Sequence, residues 1–191
     1  RYADVIVNHS LSSHLHGRPV VAWLNIGIPA EVRAPQGSES RSGNDLVIVH
    51  APTRPGPKGT AIFETAIERL RAKGYALTFV KLVGPPLADV LEAIRTSAFV
   101  VDELFSDTTM ASFATEAASF GRPAVVGLYG LDLLRTLTRP ELLPPAVTCD
   151  AESAEAAIES LLIDQAARES AGRRARHFVE EHWSRVRVAE P

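Results

Sequence analysis

Arg54 and Lys58 flank a Pro55-Gly56-Pro57 bend, and Gly59 and Thr60 follow directly. Pro55 and Pro57 fix their own φ angles, so the bend is stiff and loses little entropy when a ligand orders it. Gly56 and Gly59 carry no side chain and let a ligand approach the backbone. A guanidinium and an ammonium converging on a diphosphate form charge-assisted hydrogen bonds, each worth about 1.5–3 kcal/mol. A solvated basic loop with no ligand is the other reading of these residues. Glu116 lies within the apolar segment Phe113–Phe120, where a carboxylate needs partners. A neutral diol such as a ribose supplies two donors to it; pairing with Arg122 or capping a neighbouring helix satisfies it equally. The loop Ser106-Asp107-Thr108-Thr109-Met110-Ala111 leads into that segment. Free amides at the start of the helix would face a phosphate there, or Asp107 or Ser112 serves only as its cap.

Other chemistry fits less well. A nucleotide-binding Walker loop needs Gly-Lys-Ser/Thr in that order, whereas Lys58 precedes Gly59. No G-x-G-x-x-G follows a predicted strand, and no D-x-D pair is present. His9, His14 and His16 have the look of a metal cluster, but no acid or Cys lies beside them, and a surface turn is the default. His50 closes an apolar run, either to meet a ligand or as a satisfied buried histidine. Asp102-Glu103 stands just past a predicted strand end, a functional location in open α/β sheets and also a common place for two exposed acids. Trp183 reads as a packing anchor. Cys149, the lone cysteine, rules out an internal disulfide and reads as a small buried hydrophobe.

Positioning such residues requires regular elements, and the chain supplies them. Ala3–Asn8 predicts a short strand, Leu11–His16 a helix or turn, and Pro19–Ile28 a second apolar run. Glu31–Asn44, polar and rich in Gly and Ser, predicts a linker. The pattern then predicts strand 46–50, helix 60–73, strand 76–83, helix 87–96, strand 99–101, helix 112–120, strands 123–128 and 146–149, and helices 153–163 and 165–182. Ile62, Ala66, Ile67 and Leu70 line one face of the first helix, and Leu87, Val90, Leu91 and Ile94 one face of the second. Strands alternating with helices across short connections predict an α/β fold with a parallel sheet covered on both faces.

With 191 residues, 46% hydrophobic and 23% charged, the chain can bury a substantial core as an ordinary globular protein. A net charge of -3 argues against a broad nucleic-acid surface, though two local cations suffice for a small anion. No apolar run approaches the length of a membrane span, and Arg1 does not begin a signal peptide. With no initiator Met, the chain reads as a fragment or processed piece, and the cytoplasm is its expected compartment.

The segment from Leu46 to Thr60 and the segment Ala114–Val126 together resemble the donor half of a GT-B-fold glycosyltransferase. The likeness is to the C-terminal, nucleotide-sugar-binding domain of the retaining, family-4-like group. It is best from Leu46 to Gly130 and weaker over Ala3–Pro29 and Arg173–Glu190. It implies a Rossmann-like sheet, with residues 1–28 a remnant of the N-terminal acceptor domain and the crossing from it. Residues 29–45 would be a linker, 46–172 the donor-binding domain, and 173–191 a helix crossing back. Lys58 of Lys58-Gly59 matches the lysine that binds the donor diphosphate, and Arg54 stands in for its companion arginine at an unusual spacing. Glu116 matches the second acid of an E-x7-E element, the one that holds ribose hydroxyls. The first acid would fall at position 108, where the chain has Thr108, with Asp107 and Thr109 on either side. Gly84 and Pro85 lie where the family's loop approaches the base. The activity implied is sugar transfer from a nucleotide-diphosphate sugar to a hydroxyl, with retention and without a metal or other cofactor. The partners implied are the nucleotide-sugar, an unspecified acceptor and the protein's own N-terminal domain. No nucleic acid or membrane span is implied, and the isolated piece would be inactive. A non-catalytic partner-binding module of the same fold and a sugar-nucleotide epimerase are the alternatives; the latter needs an acid/base pair not identified in the sequence.

Overall fold

The computed structural model describes residues 4–8, 17–22 and 45–189. The Leu11–His16 turn, the three clustered histidines, residues 23–28 of the second apolar run and the 29–44 linker lie outside the described residues. The expected first strand narrows to β1, Val7–Asn8, which pairs in parallel with β2, Val21–Ala22. From Asp45 onward strands and helices alternate.

Five parallel strands form one sheet: β3 (Leu46–His50), β4 (Leu77–Lys81), β5 (Phe99–Val101), β6 (Ala124–Gly127) and β7 (Val147–Cys149). Their spatial order is β4-β3-β5-β6-β7. The register of β3 runs from Leu46 opposite Leu77 to His50 opposite Lys81 on one side, and pairs Ile48 with Phe99 on the other. Successive side chains alternate between faces. Ile48, Phe99, Val101 and Val125 join the core beneath α1 (Thr60–Ala72) and α5 (Ala154–Ile163). Val49, Val100, Ala124 and Val126 join the opposite core, beneath α2 (Leu87–Thr96), α3 (Ser112–Ser119) and α6 (Gln165–His182). Because both faces are covered, the central strands are apolar throughout rather than alternating. Each fully buried Ile, Val or Phe contributes about 1.5–3 kcal/mol to this packing. The expected α/β, Rossmann-like arrangement with helices on both faces is therefore the one observed.

Some elements depart from the sequence pattern. Strand 76–83 shortens to β4, because β3 offers partners only as far as His50 and the chain then turns at Gly84. The interval between β6 and β7 contains α4 (Leu131–Leu137) and a 3-10 turn at Pro140–Leu142. The α4 sequence LDLLRTL shows no apolar stripe; Leu134 is buried while Leu133 and Leu137 are exposed. Beyond the expected helix 165–182, Arg185–Ala189 forms a short separate helix, α7, in which the Val188 amide donates to the Ser184 carbonyl at 2.9 Å.

Two close approaches set the layers. Gly127 at the end of β6 lies against the 103–104 backbone, and its amide donates to the Glu103 carbonyl at 2.8 Å. A Cβ at this position would overlap the Leu104 carbonyl. Gly172 of α6 lies against the Gly121 carbonyl, and Arg176 donates to the Ser119 carbonyl at 2.9 Å. Trp183, 3% exposed, packs edge-on against Phe178 with ring centroids 5.2 Å apart, as a packing anchor does.

Gly127→Ala should destabilise the chain by about 2–3 kcal/mol or more in urea unfolding, since β6 and the 103–104 segment must move apart. Cys149 is buried, and that burial pushes its thiol up to about 12. A disulfide reagent at pH 8 should therefore leave the native thiol untouched and titrate it fully once urea unfolds the chain.

Candidate functional site

The site is assembled where the parallel strands end. After β3 the chain winds through the Pro-Gly-Pro bend as a compact turn. The Lys58 amide donates to the Arg54 carbonyl at 3.3 Å, Gly59 to Gly56 at 3.0 Å and Thr60 to Pro55 at 3.1 Å. Gly59, at φ 70°, forms the left-handed N-cap of α1. It is buried against the Leu104 side chain, so this glycine serves helix entry and packing rather than ligand approach. The Leu104 amide in turn donates to the Lys58 carbonyl at 3.1 Å, which stitches the turn to the segment after β5.

The Lys58 side chain points inward. Its Nζ donates to Asp102 Oδ1 at 3.0 Å and to Glu103 Oε2 at 3.1 Å. The three side chains differ in exposure: 2% for Asp102, 16% for Lys58 and 28% for Glu103. Burial works against the Lys58 charge, but the two carboxylates outweigh it and raise the ammonium above its ordinary value. The second oxygen of Asp102 accepts the Ala114 amide at 3.2 Å, in the first turn of α3. The cap position of that helix is Ala111, whose side chain has no acceptor, so Asp102 supplies one from just past β5. The amino end of α3 is thus held by a residue distant in sequence; neither Asp107 nor Ser112 fills that role at Ala114.

Glu116, half-buried, follows two residues later on the same helix. Arg122 turns away to the Arg95 carbonyl, 2.7 Å from its Nη2. The approach to α3 is closed by Ser106, whose hydroxyl donates to the Thr108 carbonyl at 3.0 Å and accepts the Thr108 amide at 3.1 Å. Thr108 is half-buried and Thr109 is buried at 3% exposure. The structure therefore gathers Lys58, Asp102, Glu103 and the amino end of α3, with Thr108 and Glu116 on the same connection and helix. Arg54 lies exposed on the bend. Gly84 and Pro85 occupy the β4–α2 turn, Gly84 exposed at φ 70°. A pocket of about 320 Å³ opens beside the bend, walled by Gly56, Gly59, Ile62 and Phe105, with the Lys81–Glu64 ion pair on its lining. The Phe105 ring stacks on Tyr129, centroids 6.4 Å apart. Among the described residues, no three His, Cys, Asp or Glu side chains gather as a metal site. No described helix is long and apolar enough to cross a membrane.

The sequence singled out the 102–103 pair only as acids past a strand end, with exposed acids as the ordinary alternative. One of them proves to be buried. The available signal was Asp102 following the apolar Phe99-Val100-Val101 strand without a break, where an acid must find internal partners.

No family model and no curated protein matches the sequence. Solved structures do share its fold. A mutant of Staphylococcus aureus TarM, in complex with fondaparinux, alpha-GlcNAc-glycerol and UDP, superposes with a TM-score of 0.67 at 10% identity, over 96% of this chain and 42% of TarM. Anabaena HepE in complex with UDP-glucose gives 0.69 at 14% identity, over 98% of this chain and 62% of HepE. The C-terminal domain of the Francisella tularensis group 1 glycosyl transferase LpcC gives 0.57 at 13% identity, over 83% of this chain and 99% of that domain. The chain thus spans less than two thirds of TarM and of HepE. Its fold is that of the C-terminal half of GT-B glycosyltransferases.

His50 sits next to this site but is part of the core. Its Nδ1 lies 2.9 Å from the Val101 carbonyl and its Nε2 2.8 Å from the Thr60 hydroxyl. A carbonyl only accepts, so Nδ1 carries the proton and neutral Nε2 accepts from Thr60. The ring is fully buried between Phe63 and Phe79, and burial lowers its pKa from 6.5. A depressed folded pKa means that the stability linked to this neutral ring is complete above pH 6.5 and is lost as pH falls toward the folded value. His50→Gln should be less stable than wild type at pH 7.5, and the gap should narrow by pH 5 in urea titrations at both values.

Proposed function

We propose that this chain is the donor-binding half of a glycosyltransferase that takes sugar from a nucleotide-diphosphate sugar. Lys58 faces the diphosphate, and with Arg54 it offsets the charge that develops on the departing phosphates, a role cationic side chains can fill in place of a metal. Glu116 accepts hydrogen bonds from the ribose, the Thr108-Thr109 connection borders the donor sugar, and the Gly84-Pro85 turn borders the base. Transfer is to a hydroxyl with retention, and the acceptor is bound by an N-terminal domain beyond this chain. The observation that carries the reading is the tie from Lys58 through Asp102 to the Ala114 amide, which sets an ammonium at the amino end of the helix bearing Glu116. Outside the carboxyl ends of parallel strands is where open α/β sheets bind ligands, and an anion is favoured at a helix amino end. The UDP and UDP-glucose complexes of TarM and HepE, proteins of the same fold, add support. Thr108 in place of an acid favours a second reading, a non-catalytic partner-binding module of the same fold; release of sugar from a nucleotide-sugar by the complete protein would exclude that reading.

Calorimetry of UDP, GDP, ADP and dTDP against the chain tests the proposal. At least one diphosphate should bind more tightly than its nucleoside. Lys58→Gln should weaken it about ten-fold or more, the equivalent of one charge-assisted contact. Glu116→Gln should remove the preference for the ribose over the 2′-deoxyribose form of that nucleotide. If no nucleoside diphosphate binds, the chain is not a donor site.

A further inference from the structure

We infer that Glu103 is the exchangeable partner of Lys58, a built-in carboxylate that the diphosphate of an incoming nucleotide replaces, while Asp102 remains as the fixed partner. The inference rests on the donor-site reading and deepens it. The two acids contact the same ammonium at nearly equal distance, 3.0 and 3.1 Å, yet their surroundings differ. Asp102 is 2% exposed and both its oxygens are committed, one to Lys58 and one to the Ala114 amide. Withdrawing it would leave the buried Ala114 amide without this acceptor. Glu103 is 28% exposed, so its carboxylate can turn to water with little loss.

The backbone is tied on both sides of this contact. The Glu103 carbonyl accepts the Gly127 amide at 2.8 Å, and the next residue, Leu104, donates to the Lys58 carbonyl at 3.1 Å. Neither the Lys58 turn nor the 103–104 segment can shift to expose the ammonium without breaking one of these bonds. Rotation of the Glu103 side chain breaks none.

Charge gives the exchange its direction. An ammonium flanked by two carboxylates sums to one negative charge, which repels an arriving phosphate at short range. With Glu103 turned out to solvent, Lys58 and Asp102 balance, and the diphosphate takes the vacated N–H of the ammonium. Glu103 therefore lowers affinity for any phosphate, a lone inorganic anion included, and only a ligand whose nucleoside supplies further contacts offsets that loss. It acts on the ligand only through Lys58.

The test is Glu103→Gln, with Glu103→Ala as a second variant, in the 191-residue chain. Each is titrated with the nucleoside diphosphates, the matching nucleosides and inorganic pyrophosphate, and melting temperatures confirm folding. Both variants should bind the diphosphate about five-fold tighter or more, gain affinity for pyrophosphate, and leave nucleoside affinity unchanged. Wild-type binding of a diphosphate that Glu103→Gln and Glu103→Ala fail to strengthen overturns the exchange and leaves the donor-site reading intact. So does an equal change for nucleoside and diphosphate, which marks a structural role only. If neither wild type nor variant binds any diphosphate, the donor-site reading falls and the exchange falls with it.

Discussion

A carboxylate buried to 2% exposure at the end of a sheet strand has to be met by donors from other parts of the chain, because an unpartnered buried charge costs several kcal/mol. Asp102 meets that demand with the Lys58 ammonium on one oxygen and the Ala114 amide on the other. In doing so it fixes the relation of two segments distant in sequence, the turn after β3 and the amino end of α3. The local geometry of the site follows from this one requirement. The Pro-Gly-Pro bend presents its lysine inward, α3 begins without a local cap, and the helix holding Glu116 is referenced to the turn holding Lys58.

The fold was legible where a single local rule decides the outcome. Leu46-Val47-Ile48-Val49 ends at a proline-rich turn, and its residues divide between the two cores as a period of two requires. In helix 60–73, the expected Ala66, Ile67 and Leu70 are buried as the helical spacing demands, while Ile62 is only partly buried and Phe63 takes its place in the core. Legibility failed where no pattern exists to read. The α4 segment is leucine-rich on every side and buries little. At the site, the residue types of Arg54, Lys58 and Glu116 suggested anion and diol chemistry, but local spacing could not reveal that Lys58 is held by two acids. That arrangement joins positions 58, 102 and 103 through the sheet, and a helix capped from just past another strand leaves no trace in its own first turn.

The matches to TarM and HepE at 10% and 14% identity show how few side-chain identities this architecture requires. A parallel sheet covered on both faces asks for aliphatic strands, helices with one apolar face and turns that reverse tightly. Many sequences supply these. The more exacting demands are steric: Gly127 must carry no Cβ for the 103–104 backbone to lie against β6, and Gly59 must adopt a left-handed conformation to open α1 beneath Leu104. Both glycines border the ends of the strands, so close packing of the scaffold also fixes the segments that carry Lys58 and Glu103.

The contact of Gly172 with Gly121 has a steric consequence. Main chain rests on main chain here, with Arg176 reaching the Ser119 carbonyl beside it. Backbone rather than side-chain volume therefore sets the spacing of the long C-terminal helix from the turn that follows α3, and any larger residue at 172 would pry the two apart.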